Sequence, residues 1–292
     1  MQDFFYYLKK EKLKSDNTLI AYKRDLANFE KFMRESRNKS LQACDESDAI
    51  AYALVLKNQN KSMATVNRSI SALRTFYEYE ILQGVKITNP FLKIKTYKNE
   101  SREIDYLTLE EVESLLSLPD DSSKGLRDRA LLEFLYGTGA RVTEVVRLKI
   151  SDLNIRMGFV TLKDSNDESR IVPLGKYATD ALVKYLGEGF AVLKGEGADE
   201  NDYVFINRRG EALSRQGIWK ILKEYGAEIG IADRMTPQIL RDSFAVHILQ
   251  NGGDLKTLQE LMGFDDMSIG IAYLAVTDIH VREVFAKCHP RA

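Results

Sequence analysis

Cysteine and histidine are scarce in this chain of 292 residues, and their scarcity excludes several kinds of chemistry. The two cysteines, Cys44 and Cys288, lie far apart and have no His or Cys neighbour at the spacing of a metal site. The histidines number only three: His247, His280 and His289. We therefore expect two reduced thiols, no bound metal and no redox catalysis.

Long apolar runs and nucleotide-binding motifs are also missing. No run reaches the roughly 18 apolar residues of a membrane-spanning helix, and residues 1–17 lack the pattern of a signal peptide. The chain contains no P-loop, dinucleotide fingerprint or zinc-protease helix. These absences predict a cytoplasmic protein with no membrane association.

The charge is nearly balanced overall but unevenly distributed. The net charge is −1, yet residues 1–100 hold 18 Lys and Arg against 12 Asp and Glu, while the remainder holds 24 against 31. A basic front half suits a polyanionic partner such as DNA, because binding phosphates requires cationic side chains. The asymmetry is weak evidence by itself, since charged runs usually form solvated helix faces.

Sequence patterns divide the chain into two domains with a linker between them. Residues 1–90 predict a helical domain, with a helix cap at 16–18 and an apolar stripe from Val66 to Tyr77 that stops at Asn89–Pro90. Residues 91–105 are polar and basic and predict a linker. Residues 106–292 predict a second, mainly helical domain.

Local signals place several elements in this second domain. Thr108 and Glu111 form a capping box, and residues 137–139 interrupt a long helical pattern. Two alternating runs at 159–163 and 170–174 predict a small antiparallel hairpin. Further helices are expected to begin near these positions: Ser214, Thr236–Pro237, Leu255, Ile269 and Asp278.

Two arginines are the first candidates for chemistry. Arg141 lies at a predicted helix start, with Glu144 one turn later and able to orient its guanidinium. Gln238 and Arg241 are three residues apart and therefore share a helix face. Two guanidinium groups converging on one phosphate could stabilise the charge that builds up on phosphoryl oxygens. Taken singly, either arginine is more often a surface ion-pair partner.

Several blocks in a fixed order resemble Xer-type tyrosine recombinases along essentially the full length. They include NTLIAYKRDLANFEKF, LRDRALLEFLYGTGARVTEVVRLKISDL, TPQILRDSFAVHIL and the terminal HPRA. The resemblance implies a mainly α protein, a two-domain C-shaped DNA clamp: a helical N-terminal core-binding domain and an α-helical catalytic domain with a small antiparallel β-sheet. It also implies DNA cleavage through a 3′-phosphotyrosyl intermediate, without metal or nucleotide cofactor.

The resemblance assigns roles to four residues. Arg141 and Arg241 match the family's two phosphate-binding arginines, and Glu144 matches the acidic neighbour of the first. Tyr273 matches the nucleophile, nine residues after position 264.

Other positions depart from the family pattern. Gln238 stands where the family has His or Lys, and Phe264 where it has His or Trp. Counting along the hairpin puts Ser165 at the position of the lysine that protonates the leaving 5′-oxygen, whereas Lys163 is two residues earlier and could replace it. Gln238 cannot shuttle a proton and Phe264 offers no donor, although Phe264 can support the tyrosine helix by packing. Loss of general acid–base help typically costs about 10²- to 10⁴-fold in rate.

Two functions follow from this pattern of matches and departures. The first is a site-specific recombinase whose activity is intact or slowed, acting in chromosome-dimer resolution or in element integration and excision. The second is a catalytically degenerate recombinase-fold protein that binds DNA in an architectural or regulatory role. A helical protein unrelated to nucleic acid would require the resemblance to be accidental.

The expected partners are double-stranded DNA with inverted-repeat arms and other recombinase protomers, in a homo- or hetero-tetramer. The final segment, residues 281–292, is the candidate for docking onto a neighbouring protomer. The residues expected to contact DNA, mainly at phosphates, are basic or polar: Arg68, Arg74, Lys93, Lys95, Lys98, Arg208, Arg209, Arg215, Gln216 and Lys220.

Overall fold

The computed structural model describes five stretches of the chain: residues 2–59, 61–96, 104–195, 202–264 and 266–288, with side chains as far as Thr277. The chain divides into two compact units, Met1–Arg102 and Glu103–Ala292. This division falls within the predicted linker, of which residues 97–103 lie outside the described stretches.

The first unit is helical, as predicted. Its helices are α1 (Gln2–Lys10), α2 (Asp16–Phe32), α3 (Glu46–Asn58) and α4 (Met63–Leu82). The cap of α2 is Ser15, whose hydroxyl accepts from the Thr18 amide at 3.3 Å, so the helix starts one residue earlier than the 16–18 cap suggested. The predicted stop of α4 at Asn89–Pro90 is wrong. The helix ends at Leu82, because Gly84 takes a φ of +70° that is incompatible with a helix.

Aromatic side chains dominate the core of this first unit. The ring of Phe91 stacks on Tyr77 at 5.8 Å and meets Phe29 edge-on at 5.3 Å between centroids. Phe76 and Phe4 make a further edge contact at 5.3 Å. The apolar stripe predicted on α4 is therefore core, and the aromatic contacts tie the residues after α4 back to the helices.

The second unit contains nine helices and three strands among its described residues. The helices are α5 (Leu109–Ser117), α6 (Ser123–Thr138), α7 (Val142–Arg147), α8 (Lys176–Lys184), α9 (Phe190–Lys194), α10 (Arg215–Glu228), α11 (Pro237–Gln250), α12 (Leu255–Met262) and α13 (Met267–Cys288). The strands are β1 (Leu153–Asn154), β2 (Phe159–Lys163) and β3 (Ser169–Pro173), antiparallel in the order β1-β2-β3. The mainly helical fold with a small antiparallel sheet is confirmed.

Most predicted helix starts in this unit are confirmed by their caps. The Thr108 hydroxyl and the Glu111 carboxylate form the capping box of α5, and Thr236 caps α11 with proline at the first position. The start near Ile269 is confirmed to within two residues, since α13 begins at Met267, but the separate start near Asp278 is wrong because α13 is one continuous helix. Inside it the Thr277 hydroxyl donates to the Leu274 carbonyl, a bond that a helix interior permits.

Two left-handed glycines end the helices that frame the candidate site. Gly139 (φ +59°) ends α6 and Gly263 (φ +60°) ends α12. A Cβ atom at Gly263 would lie 2.9 Å from Cδ of Arg170, and one at Gly139 would lie 2.5 Å from the ring of Phe244. Both positions therefore need glycine for conformation and for close approach.

No helix in the part of the chain that the structure describes is long and apolar enough to cross a membrane.

Candidate active site

Three arginines converge on the C-terminal end of α12. Successive carbonyl groups there each accept from a different guanidinium: Leu261 from Arg170 (2.7 Å), Met262 from Arg241 (2.6 Å) and Gly263 from Arg141. The last carbonyls of a helix have no partner within the helix and carry partial negative charge. The three arginines therefore satisfy the last carbonyls of α12, and three positive charges lie together at this helix end.

Glu144 binds two of these arginines from the opposite side. Its carboxylate accepts from Arg170 at 2.5 and 2.8 Å and from Arg141 at 3.0 Å, and it also accepts from the Arg141 backbone amide at 2.6 Å. Burial opposes ionisation of Glu144, but its contacts with Arg170 and Arg141 outweigh burial and lower the carboxyl pKa. A buried carboxylate thus orients Arg141, as the sequence suggested.

Arg241 is buried in the second unit, with 7% of the residue exposed. Its guanidinium donates to the Gly139 carbonyl at the end of α6 as well as to Met262 on α12. Burial, followed by the charge of Arg141, lowers the pKa of Arg241 to about 10. The Arg141 side chain is 37% exposed and so opens this positive cluster to solvent. An anion arriving there would relieve the repulsion between the two arginines.

Tyr273 belongs to the same buried region through a bond to α11. Its hydroxyl donates to Oδ1 of Asp242 at 2.7 Å, and the Gln238 amide donates to the same oxygen at 2.8 Å. Asp242 is 1% exposed and Tyr273 is 6% exposed. Tyr273 also interacts electrostatically with Arg241, so the tyrosine hydroxyl and the arginine lie in one site.

Phe264 packs beneath the helix that carries Tyr273. It is 5% exposed and belongs to the same apolar cluster as Tyr273, Met262 and Phe244. A Cβ atom at Gly270 on α13 would lie 3.1 Å from the Phe264 ring, so the two segments are in close contact. Phe264 thus supports α13 by packing, as expected from its side chain.

The candidate general acids make contacts with residues outside the arginine cluster. The Lys163 ammonium donates to Asp152 at 2.7 Å, and its side chain is 50% exposed. The hydrogen bond and charge of Asp152 raise the pKa of Lys163 and so weaken it as an acid. Ser165 is exposed in the turn between β2 and β3, where the Asp164 carboxylate accepts two backbone bonds.

Sequence reasoning missed Arg170 and did not predict the contacts of Asp242. Arg170 lies opposite Leu162 in the hairpin and two residues from buried Val172, so it shares the inward face of β3. A charged residue on an inward strand face needs a buried partner. This position of Arg170 in the alternating pattern of the strand was the sequence signal that could have identified it. The Asp242 carboxylate accepts from Tyr273 and Gln238, residues on two different helices.

In the first unit, the residues expected to contact DNA have structural partners. Arg68 forms a two-point ion pair with buried Asp25 at 2.9 and 3.1 Å, and Arg74 donates to the carbonyls of Phe91 (3.4 Å) and Ile94 (2.7 Å). Lys93 pairs with Glu46 at 3.1 Å, Lys95 is exposed, and Lys98 lies outside the described residues. Arg68 and Arg74 therefore hold the unit together, and their contact with DNA stays a prediction.

In the second unit, the corresponding residues cluster around the start of α10. Arg208, Arg209 and Lys220 line a surface pocket of about 490 Å³, and Arg215 and Gln216 line a neighbouring one beside Trp219. The structure thus brings together residues that are separate in sequence. The predicted docking segment, residues 281–292, lies beyond the described side chains.

Among the residues that the structure describes, no group of three or more His, Cys, Asp and Glu side chains could hold a metal ion. The chemistry available at the site is that of guanidinium groups, carboxylates, an amide and a phenol.

Two family models match the chain, one on each unit. Residues 105–280 match the phage integrase family, and residues 1–84 match the phage integrase N-terminal SAM-like domain.

Individual proteins show the same likeness over nearly the whole length. A tyrosine recombinase XerD from Listeria innocua is 42% identical over 294 residues, covering 100% of this chain and 99% of that protein. The crystal structure of the XerH site-specific recombinase bound to palindromic difH substrate has a TM-score of 0.76 at 22% identity, covering 93% of this chain and 79% of that one. A lambda integrase tetramer bound to a Holliday junction has a TM-score of 0.70 at 18% identity, covering 93% and 75%.

Proposed function

The chain belongs to the phage integrase family, and we propose that it breaks and rejoins DNA strands through a covalent bond to Tyr273. It is a tyrosine recombinase, an enzyme of site-specific DNA recombination. Of the two functions that the sequence left open, the comparisons support the enzyme. The observation that carries the role of Tyr273 is its 2.7 Å bond to Asp242, the residue next to Arg241.

Arg141 and Arg241 bind the phosphate to be cleaved. Both guanidiniums donate to carbonyls at helix ends, and a phosphate is a stronger acceptor than a neutral carbonyl. Burial and then the charge of Arg141 lower the pKa of Arg241, and an arriving phosphate relieves the repulsion between the two arginines. Charge that builds up on the phosphoryl oxygens is stabilised by donors already in place, which is the largest single contribution in many enzymes.

The reaction exchanges one phosphodiester bond of the DNA for a bond between the phosphate and Tyr273. The Tyr273 oxygen attacks phosphorus, the bond to the 5′-oxygen breaks, and a 3′-phosphotyrosyl link remains with a free 5′-hydroxyl. Lys163 supplies the proton to the leaving oxygen after exchanging Asp152 for the DNA backbone. A 5′-hydroxyl of the partner duplex then attacks the phosphotyrosyl link and releases Tyr273. The energy of the broken DNA bond is kept in this link, so no cofactor is needed.

The partner is double-stranded DNA with inverted-repeat arms, and the assembly is a tetramer of recombinase protomers on two sites. The related XerH recombinase bound to difH substrate and the lambda integrase tetramer bound to a Holliday junction support this proposal. We assign the protein to the cytoplasm, where such DNA lies. Its biological process is chromosome-dimer resolution or element integration, both of which use the same chemistry.

The proposal is tested with nicked duplexes that carry the family's inverted-repeat arms. Cleavage next to the nick releases a short strand and traps the covalent protein–DNA adduct. We expect an adduct with the wild-type chain and none with Tyr273→Phe, because the phenyl ring has no nucleophile. The adduct is measured as a protease-sensitive band shift in denaturing gels.

Tyr225→Phe is the matched control. It removes a hydroxyl that donates to the Asp128 carboxylate at 3.2 Å, a bond of the same kind outside the site. This variant should form the adduct normally. If the wild-type chain binds the duplexes and yields no adduct, Tyr273 is not a nucleophile and the proposed function is rejected.

A further inference from the structure

The hydrogen bond between Tyr273 and Asp242 ends on a carboxylate, a group that phosphate binding does not require. Its acceptor is a carboxylate oxygen, and the hydroxyl is the group that loses a proton when tyrosine attacks phosphorus. The Tyr273–Asp242 pair links α13 to α11 across 31 positions of sequence. A buried tyrosine hydroxyl needs some partner, but a backbone carbonyl would satisfy it without accepting a proton.

We propose that Asp242 is a catalytic residue that takes the proton from the Tyr273 hydroxyl as that oxygen attacks the DNA phosphate. The inference rests on the function proposed above for Tyr273. The Tyr273 oxygen forms its bond to phosphorus, its proton passes to Oδ1 of Asp242, and the bond to the 5′-oxygen breaks. The leaving 5′-oxygen takes a separate proton from Lys163 or from water.

Gln238 determines which oxygen of Asp242 accepts the proton from Tyr273. Its amide donates to Oδ1 at 2.8 Å, and Oδ1 is also the atom that Tyr273 meets at 2.7 Å. Both residues are on α11, one turn apart, so the helix itself fixes the carboxylate. Gln238 is thus a positioning residue that holds the acceptor towards the nucleophile, although it cannot shuttle a proton itself.

The charge around Asp242 permits a carboxylate beside a phosphate. The three guanidiniums of Arg141, Arg170 and Arg241 face two carboxylates, those of Glu144 and Asp242, which leaves one excess positive charge for the phosphate. Asp242 is 1% exposed, so water does not compete for its Oδ1 oxygen. A desolvated acceptor already bonded to the hydroxyl is the arrangement that general base catalysis requires.

The elements around Asp242 and Tyr273 carry other titratable groups. They include Arg241 and His247 on α11, Arg141 and Glu144 at α7, Arg170 on β3, Tyr136 and Glu133 on α6, and the exposed Lys256 and Glu260 on α12. Burial lowers the pKa of His247, which therefore stays neutral above pH 7. Arg241, with a pKa of about 10, keeps its charge below pH 9.

The test is a pH profile of adduct formation on a nicked duplex with sulfur in place of the bridging 5′-oxygen. The sulfur leaves as a thiolate without needing a proton, so the proton of Tyr273 is the remaining one in the step. With Asp242 present, the rate should be level between about pH 7 and 9. In Asp242→Asn only the ionised tyrosine attacks, so the rate should rise about tenfold per pH unit over the same range.

Asparagine retains the shape and a hydrogen-bond acceptor but does not take up the proton. Asp128→Asn is the matched control, since Asp128 is buried and accepts from Tyr225 at 3.2 Å outside the site. Its profile should stay level. A slower but level profile for Asp242→Asn would reduce Asp242 to a structural contact and overturn the inference.

The wild-type profile provides a test that does not depend on folding of a variant. A tenfold rise per pH unit in the wild-type chain itself would mean that no acceptor operates, and the inference would be rejected. These results differ from failure of the proposed function, in which the wild-type chain forms no Tyr273-dependent adduct at any pH.

Discussion

The two sides of the candidate site are built in different ways. On the phosphate side, three arginines donate to the carbonyls at the end of α12, and two of them share the buried carboxylate of Glu144. On the proton-transfer side, Tyr273 and Gln238 share one oxygen of Asp242, while Lys163 is paired with Asp152.

This difference shows that the phosphate-binding groups, more than the proton-transfer groups, are positioned by the folded chain itself. The arginines are fixed by backbone carbonyls and by left-handed Gly139 and Gly263, so they are in place before any DNA arrives. Proton removal relies on a single carboxylate, and proton donation requires Lys163 to change partners. We therefore expect the largest losses from the arginines and smaller, substrate-dependent losses from the proton donors.

Among the variants that keep the Tyr273 nucleophile, Arg241→Lys should cause the largest loss of activity. A lysine cannot reach the carbonyls of Gly139 and Met262 and the phosphate with one planar group. We expect adduct formation at saturating DNA to fall about 10³-fold, the range seen when one preorganised donor is removed. Single-turnover cleavage of the nicked duplex measures this effect.

Affinity for uncleaved duplex is the control for Arg241→Lys, since the positive charge is kept. A variant that binds and cleaves like wild type would show that the phosphate lies elsewhere, and the contrast between the two sides would disappear.

Arg170→Met should cause the largest loss of stability. It leaves the buried Glu144 carboxylate with Arg141 as its remaining arginine, and removing one partner of a buried ion pair costs about 3–5 kcal/mol. Trp219, the single tryptophan of the sequence, lies on α10 in the second unit, so its fluorescence in urea reports the unfolding of that unit.

Arg68→Met is the matched variant in the first unit, where Arg68 pairs with Asp25 and is 41% exposed. It should leave the Trp219 transition unchanged. An equal shift of the urea midpoint in both variants would mean that Trp219 fluorescence does not report on the second unit alone. An unchanged midpoint in Arg170→Met would mean that the Arg170–Glu144 ion pair does not stabilise the site.

Local signals in the sequence predicted several elements of the fold correctly. The Thr108 capping box, the Thr236–Pro237 start and the β2–β3 hairpin need residues only a few positions apart, so they can be read directly. The start at 278 was wrong because the choice between a cap and a helix interior depends on how α13 packs. The two-residue strand β1 has no pattern of its own and forms by pairing with β2.

The candidate site was predictable in its matched motifs but not in its contacts. Arg141, Arg241 and Tyr273 follow from family resemblance, whereas the bond between Tyr273 and Asp242 depends on the packing of α11 against α13. Arg170 is recruited by Glu144 from 26 positions away, and no local pattern encodes that distance. Resemblance predicts which residues are used, and packing decides what each one touches.

Lys163→Ala should slow cleavage of ordinary DNA by about 10²-fold, the lower range for loss of a general acid. With the bridging 5′-sulfur substrate the same variant should cleave at the wild-type rate, because a thiolate leaves unaided. Lys184→Ala, which removes a partly exposed lysine paired with Asp121 at 2.7 Å, is the control. If Lys163→Ala slowed neither substrate, Lys163 would serve only its ion pair with Asp152 and the proton donor would be water.

Arg215→Ala should have the smallest effect, confined to binding. Arg215 is the first residue of α10 and lines a surface pocket with Val146 and Trp219, and it takes no part in the hydrogen bonds described for Tyr273 and the arginine cluster. Loss of one phosphate contact should weaken duplex affinity several-fold and reduce the slope of log affinity against log salt by about 1. Arg234→Ala is the matched control, because Arg234 is bound to Asp105 and Glu111 at 2.8 Å each within the second unit. If both variants bind DNA with the wild-type salt slope, Arg215 does not contact a phosphate and the surface around α10 takes no part in the DNA interface.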